Sequence, residues 1–240
     1  MDKSRGPIFV VGCGHSGTSI TARLIGAHPN IFPVPGETKI AVGRCAARFV
    51  DGLAKFTRQA EENSRARWLE KTPQPILEIS FILELAAEAF VVAIVRDPRD
   101  VCFSFQKRYG DLQIGIDKYI AAHSALLPLL DHPRIRVFRY EDLVHDPKRV
   151  LQSTMAFLGE IFLESQLLYY QQKVLWYAES YHKPASDLGV SHHNQLRNWQ
   201  INQPFFDGRG KWCGKLKPDE LHLIKDRLGV LSGSFGYRFD

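Results

Sequence analysis

Two stretches of this 240-residue chain combine residue types that can hold an anion. The first is Gly12, Cys13, Gly14, His15, Ser16, Gly17, Thr18 and Ser19, set between the apolar run Ile8 to Val11 and a helical pattern. A strand, a glycine-rich turn and a helix N-terminus in that order present unpaired N–H groups and the positive end of a helix dipole, with glycines letting the backbone approach an oxyanion. Thr18 and Ser19 add hydroxyl donors. The triphosphate-binding pattern GxxxxGK[ST] is met at Gly12, Gly17 and Ser19, but its lysine is Thr18 here. Without that lysine, which spans the β- and γ-phosphates, a 5′-phosphate carrying a less charged group is the better ligand. The alternative is that the glycines only make a tight strand-to-helix connection.

The second stretch is Val95, Arg96, Asp97, Pro98, Arg99 and Asp100, continuing to Ser104 and Arg108. Asp97 suits a helix cap and Pro98 a first turn, so Arg96 ends a strand and faces the ligand edge. Ser104 and Arg108, four residues apart, share one helix face and can converge with Arg96 on a single phosphate. Alternatively, Arg96 pairs with a neighbouring carboxylate and Ser104 only fills the helix surface.

Positioning these groups requires strands at Ile8 to Val11, Val91 to Val95 and Ile135 to Phe138, with Trp68 and Leu69 as a candidate fourth. Helical patterns cover Ser19 to Ala27, Pro75 to Ala89, Pro98 to Tyr109, Lys118 to Leu130, Lys148 to Leu158, Leu163 to Ala178 and Pro218 to Leu228. Alternating strands and helices predict an α/β fold of the phosphate-loop kind, a parallel sheet flanked by helices on both faces, with ligands at the carboxyl ends of the strands. Tyr181 to Gly210 shows no clear period, and the last third reads as a cover over the sheet edge. Residues 1–240 are expected to form one domain.

Composition narrows the partners. A pI near 9.0 and a formal charge of +5 suit an anionic ligand. The basic residues are dispersed and not interleaved with aromatics, which argues against nucleic acid. The short N-terminal apolar run predicts neither a signal peptide nor a membrane span, hence a cytoplasmic chain without integral membrane association. Cys13, Cys45, Cys102 and Cys213 contain no CxxC pair, and His182, His192 and His193 lack metal-ligand spacing. Cys102 and Arg108 satisfy a Cys-x5-Arg phosphatase spelling, yet Cys102 falls inside a predicted helix rather than a loop of amides. An atypical nucleotide or small-molecule kinase, and an inactive nucleotide-binding module, remain the competing classes.

Taken together, GCGHSGTS followed by GAHPNI and GET, then RDPRDVCFSF and RYEDLVHDP, resemble the sulfotransferases that use 3′-phosphoadenosine 5′-phosphosulfate (PAPS), bacterial members and the protein-tyrosine branch in particular. The resemblance implies that Gly14, His15, Ser16, Gly17, Thr18 and Ser19 bind the 5′-phosphosulfate. His15 stands where the family commonly has Lys or Arg, so charge at the leaving phosphate would depend on pH. The resemblance also implies that Arg96 and Ser104 hold the 3′-phosphate, with Arg108 at a further basic position and Tyr140 near the cofactor, unless Tyr140 only closes a strand. Arg209 and Lys211, in DGRGKW, match a basic segment over the nucleotide. Glu37, in PVPGET, corresponds to the branch's catalytic base, and Lys71, in WLEKTP, to a lysine that contacts the transferring group. A capping carboxylate and a turn lysine are the plainer roles for these two. The implied reaction transfers a sulfuryl group to an acceptor hydroxyl on a carbohydrate, lipid or small molecule, releases 3′-phosphoadenosine 5′-phosphate (PAP) and requires no metal. Acceptor choice is left to loops such as 39–67 and 181–208.

Overall fold

The computed structural model describes residues 5–177 and 193–239. Five parallel strands, β1 (Ile8–Gly12), β2 (Ile31–Pro33), β3 (Arg67–Lys71), β4 (Phe90–Val95) and β5 (Ile135–Arg139), form one sheet in the order β2-β3-β1-β4-β5. β1 is central, with Val10 in register with Lys71 of β3 and Val92 of β4. All of β1 and nearly all of β4 is buried, because a parallel sheet carries helices on both faces and its middle strands must be apolar throughout. Phe9, Val11 and Trp68 point into one core with Phe49, Phe56 and Ile116, while Ile8, Val10 and Leu69 point into the other with Leu24, Met155 and Tyr169.

The first core is closed by α2 (Ala46–Glu62), α3 (Ile79–Leu85), α4 (Pro98–Tyr109), α5 (Leu112–Leu126) and, after a gap in sequence, α9 (Pro218–Gly233). The second is closed by α1 (Thr18–Gly26), α6 (Tyr140–His145), α7 (Pro147–Phe157), a 3₁₀ segment (Glu164–Gln171) and, just after α8 (His193–Gln200), Ile201 and Phe205.

Several sequence expectations need correction. The segment 39–67, expected as a pocket loop, contains α2, whose buried residues Phe49, Gly52, Phe56 and Ala60 make a narrow apolar face in an otherwise polar helix. Strand β2 is only three residues long, too short for periodicity to reveal. Helix α5 begins at Leu112 rather than Lys118, capped by the Asp111 side chain, which accepts from the Gln113 amide at 2.8 Å. Pro75 to Ala89 is not one helix: a 3₁₀ turn at Gln74–Glu78 precedes α3, and the chain leaves helical geometry at Ala86. Leu163 to Ala178 is 3₁₀ only as far as Gln171, with a kink at Leu168. Helix α8 lies inside the stretch without clear period. The last third does more than cover an edge, since it closes both cores and reaches the loops at the strand ends.

Candidate functional site

The glycine-rich loop leaves β1 at the centre of the sheet and turns through two left-handed residues, His15 (φ 66°) and Gly17 (φ 101°), before α1 starts at Thr18. A Cβ on Gly17 would stand 2.7 Å from Cδ2 of Tyr140, so both the backbone angle and the Tyr140 ring demand glycine here. The Ser16 hydroxyl is fully buried and has no hydrogen-bond partner among the described residues. The His15 ring packs edge-on against Phe105 of α4, with centroids 4.7 Å apart.

Beside this loop, at the end of the adjacent strand, stands Lys71. Its side chain is 1% exposed, and Nζ donates to Glu37 Oε1 at 2.7 Å and to the Tyr177 hydroxyl at 2.6 Å. Tyr177 in turn lies 3.2 Å from the Ser19 hydroxyl, so a chain of polar contacts runs from Glu37 through Lys71 and Tyr177 to the first turn of α1. Arg197 of α8 donates to the same Glu37 oxygen and stacks 3.8 Å over the Tyr177 ring. Burial pushes the Glu37 carboxyl up, but Lys71 and Arg197 outweigh it and hold the group below the ordinary glutamate range. Glu37 is therefore ionised at neutral pH.

The loop carrying Glu37 is fixed from beneath by Glu70, the residue before Lys71 and on the opposite face of β3. The Glu70 carboxylate is 1% exposed and accepts from the Thr38 amide at 3.1 Å and the Thr38 hydroxyl at 2.9 Å. Thr72 completes this bracket, donating to Glu70 and accepting from the Lys39 amide at 3.2 Å. Burial raises the Glu70 carboxyl even against these donors.

Arg96 emerges from β4 on the other side of the loop. Nη1 donates to the His15 carbonyl at 3.0 Å, Nη2 donates to the Gly208 carbonyl, and the guanidinium lies 3.5 Å from Asp100 and 4.4 Å from the Tyr140 ring centroid. The carboxylate pairing given as the alternative is present, and Arg96 ties the glycine-rich loop to the segment after α8. Its Nε is buried with no partner among the described residues. The Gly208 amide donates to the Tyr140 hydroxyl at 3.2 Å, and Asp100 accepts from the Gly210 and Trp212 amides at 2.9 and 3.3 Å. Tyr140, 7% exposed, serves as both a core residue and the wall behind Gly17.

The remaining sequence candidates are less engaged. The Ser104 hydroxyl donates 2.7 Å back to the Asp100 carbonyl on its own helix, and Arg108 is exposed, its guanidinium 5.2 Å from the Tyr109 ring centroid. Arg209 is exposed and forks onto Asp207, and Lys211 sits 4.3 Å from the Phe206 ring centroid. His182, His192 and Tyr181 lie outside the described residues, as does the His193 side chain. Cys102 is buried in α4 with its thiol pushed up by burial, the opposite of an activated nucleophile. Tyr177 and Arg197 escaped sequence reasoning because neither lies in a block that carries the family resemblance, and their partners are distant in sequence. Glu70 was recoverable only by extending the candidate strand at Trp68 and Leu69 as far as Lys71, which sets the two on opposite faces. Among the described residues no helix is long and apolar enough to cross a membrane, and no three His, Cys, Asp or Glu side chains group as metal ligands.

Comparison with known proteins supports the same architecture. The sulfotransferase domain of the Synechococcus PCC 7002 olefin synthase superposes with a TM-score of 0.66 at 19% identity, covering 99% of this chain and 97% of that one. The mouse sulfotransferase SULT7A1 complexed with PAP gives 0.60 at 15% identity over 99% and 90% of the two chains. A sulfotransferase from Alicyclobacillus acidocaldarius gives 0.58 at 14% identity over 96% and 94%. An uncharacterized protein of Aquifex aeolicus (strain VF5) is 22% identical over 71% of this chain, which spans only 28% of that relative's length. Residues 41–164, which include Lys71, Arg96, Ser104, Arg108 and Tyr140, match the model of the Sulfotransferase family, and since they make up just over half of the sequence, the chain belongs to that family.

Proposed function

We propose that the protein transfers a sulfuryl group from PAPS to the hydroxyl of a carbohydrate, lipid or small-molecule acceptor, with Glu37 as the base and Lys71 and His15 at the transferring group. The observation that carries this reading is the Lys71–Glu37 pair at 2.7 Å, joined through Tyr177 to Ser19 on the helix that opens the anion loop. A base and a cation abut a loop whose own lysine position holds Thr18. The residues fit the nucleotide: the buried Ser16 hydroxyl and Arg96 Nε await an acceptor of their hydrogens, as phosphate oxygens provide. In this assignment the loop residues Gly14 to Ser19 hold the 5′ side. Arg96, Ser104 and Arg108 hold the 3′-phosphate, Tyr140 lies near the cofactor, and Arg209 and Lys211 lie along the nucleotide.

When bound, PAPS supplies the sulfuryl group and carries off the electron pair of the broken sulfur–oxygen bond as PAP. Glu37, ionised because of its two cationic neighbours, takes the acceptor's hydroxyl proton as the new oxygen–sulfur bond forms, and then releases it to water. Lys71 directs two of its three N–H groups at Glu37 and Tyr177, leaving one for negative charge on the transferring oxygens. His15 and the loop amides stabilise the departing phosphate oxygen.

Calorimetry with PAP, and ATP as control, tests the nucleotide. Release of PAP from PAPS in the presence of phenol, sugar and glycolipid acceptors tests the chemistry. Glu37→Gln should keep PAP binding and lose turnover. Failure of the wild type to bind PAP, or preference for ATP, would sink the reading in favour of a kinase; PAP binding with no turnover on any acceptor would leave a nucleotide-binding module.

A further inference from the structure

Arg197 lies on α8, outside the family-matched region and far from the glycine-rich loop in sequence. It nevertheless reaches the same Glu37 oxygen as Lys71, with its side chain 22% exposed. Its placement is built rather than incidental. Asn198, the next residue, is fully buried and accepts from the Trp176 and Tyr177 amides, both at 2.9 Å, so α8 fixes the backbone of Tyr177. Asn202 then holds Val174, accepting from its amide at 2.8 Å and donating to its carbonyl at 2.8 Å. Arg23 of α1 locks this layer to the phosphate-loop helix through the carbonyls of Tyr169, Gln172 and Ile201, at 2.8, 2.7 and 3.1 Å. Arg197 therefore enters the site on a firm support, its guanidinium 3.8 Å from the centroid of a Tyr177 ring that is itself held by Lys71 and Ser19.

We propose that Arg197 is a positioning residue for the base: through its pair with Glu37 Oε1 and its stack on Tyr177, it keeps the carboxylate oriented and ionised while Lys71 is engaged with the transferring group. The catalytic meaning of this role rests on the transfer reading above; the side-chain coupling itself does not. Two cations face one carboxylate oxygen, Lys71 from β3 and Arg197 from α8, and only Lys71 also touches Tyr177 through a hydrogen bond that leads to the loop. An incoming sulfuryl group draws on the Lys71 ammonium and weakens its hold on Glu37, and a half-buried carboxylate with no other cation beside it would rise toward the protonated, useless form. Arg197 remains in place and prevents this. Its guanidinium suits the task because a planar, delocalised cation can lie over an aromatic face while its rigid fork of donors reaches a carboxylate.

The test needs no acceptor and no bound nucleotide. Protein labelled with ¹³C at the glutamate side-chain carboxyls is titrated by NMR, with the Glu37 signal assigned by its loss in Glu37→Gln. The Glu37 midpoint should rise in Arg197→Gln, and should rise further in Lys71→Met/Arg197→Gln than in Lys71→Met alone. Arg197→Lys should recover part of each rise. An unchanged midpoint on Arg197→Gln in both backgrounds overturns the proposal. Should the glutamine variants fail to fold, the wild type supplies the second readout, because the ¹⁵N signals of the Arg197 side chain should inflect at the Glu37 midpoint; no inflection overturns the proposal equally. Absence of PAP binding would remove the transfer reading and leave these titrations as they stand, whereas a flat Arg197 response beside intact turnover would remove this inference alone.

Discussion

Replacing Arg96 with alanine should unfold the join between the phosphate loop and the C-terminal segment before it says anything about a phosphate. The guanidinium is 8% exposed and serves two carbonyls, one carboxylate and one aromatic face. Its loss leaves the Asp100 carboxylate, 1% exposed, without its directly paired cation and held by the Gly210 and Trp212 amides. Stripping one partner from a buried ion pair costs about 3–5 kcal/mol. The stacking on Tyr140 overlaps with that figure and is not added to it. For a chain of this size each kcal/mol lowers the midpoint by roughly 2–4 °C, so thermal unfolding followed by circular dichroism should show a drop of about 6–20 °C. Asp100→Asn in the Arg96→Ala background removes the stranded charge and should recover part of the drop. Unfolding of Arg96→Ala within about 1 °C of wild type, or no recovery in the double variant, would refute the view of Arg96 as a buried clamp. The same argument makes Ser104→Ala the cleaner probe of the 3′-phosphate, since it removes only a back-bond to its own helix and should leave stability within about 0.5 kcal/mol of wild type while weakening PAP.

Gly17→Ala forces an L-residue to φ 101° and drives a Cβ to 2.7 Å from Tyr140; it should cost at least about 1–2 kcal/mol and abolish PAP binding in calorimetry, and wild-type affinity would show that the loop has another purpose. Tyr177→Phe removes the hydroxyl shared by Lys71 and Ser19, so PAPS turnover should fall about tenfold or more with PAP affinity preserved, and unchanged turnover would make that hydroxyl idle. His123 is fully buried and stacked on Tyr119 at 3.6 Å, and burial pushes its imidazole down to about 4. A depressed histidine binds its proton first in the unfolded chain, so this group should remove stability as pH falls from about 6.5 to 4, by about 3 kcal/mol in all, and a denaturant series on His123→Phe should lose that part of the acid slope.

The parts of the site legible in the sequence are those where one local constraint decides the residue. Gly17 is dictated by its backbone angle, and the β1 and β4 runs are apolar because flanking helices bury them. The helix Pro98–Tyr109 was read to the residue because Asp97 caps it and Pro98 starts it, and the Asp97 side chain indeed accepts from the Arg99 amide at 2.8 Å. What stayed hidden is set by contacts across the chain. Helix α2 shows only four buried residues, so its apolar stripe is thin against a polar background. Tyr177 and Arg197 belong to a layer whose order comes from buried asparagines and Arg23 bonding to backbone carbonyls and amides, and such bonds leave no period in the sequence. The dual use of Arg96 was invisible for the same reason: its partners His15 and Gly208 supply carbonyls, which every residue has.

The substitution of Thr18 for the lysine of a triphosphate loop acquires its sense from where the cation has gone. Thr18 is 4% exposed, and a lysine there would need a partner that the first turn of α1 lacks, having no acidic residue. Lys71 instead rises from β3, one strand over from the loop, and brings with it a carboxylate already bonded to its Nζ. A cation on the loop's own helix serves only the phosphates, whereas one on the adjacent strand sits between the phosphate loop and Glu37 and answers to both. Lys71, Arg197 and Glu37 together carry one net positive charge, which in the proposed transfer matches the single negative charge of a sulfuryl group. On the proposed assignment, Glu37 draws its ionisation from the same lysine that attends the transferring oxygens, which calls for a second cation at the carboxylate. In that proposal Arg197, lying over the Tyr177 ring and carried by α8, fills the place from a layer distant in sequence from the glycine-rich loop.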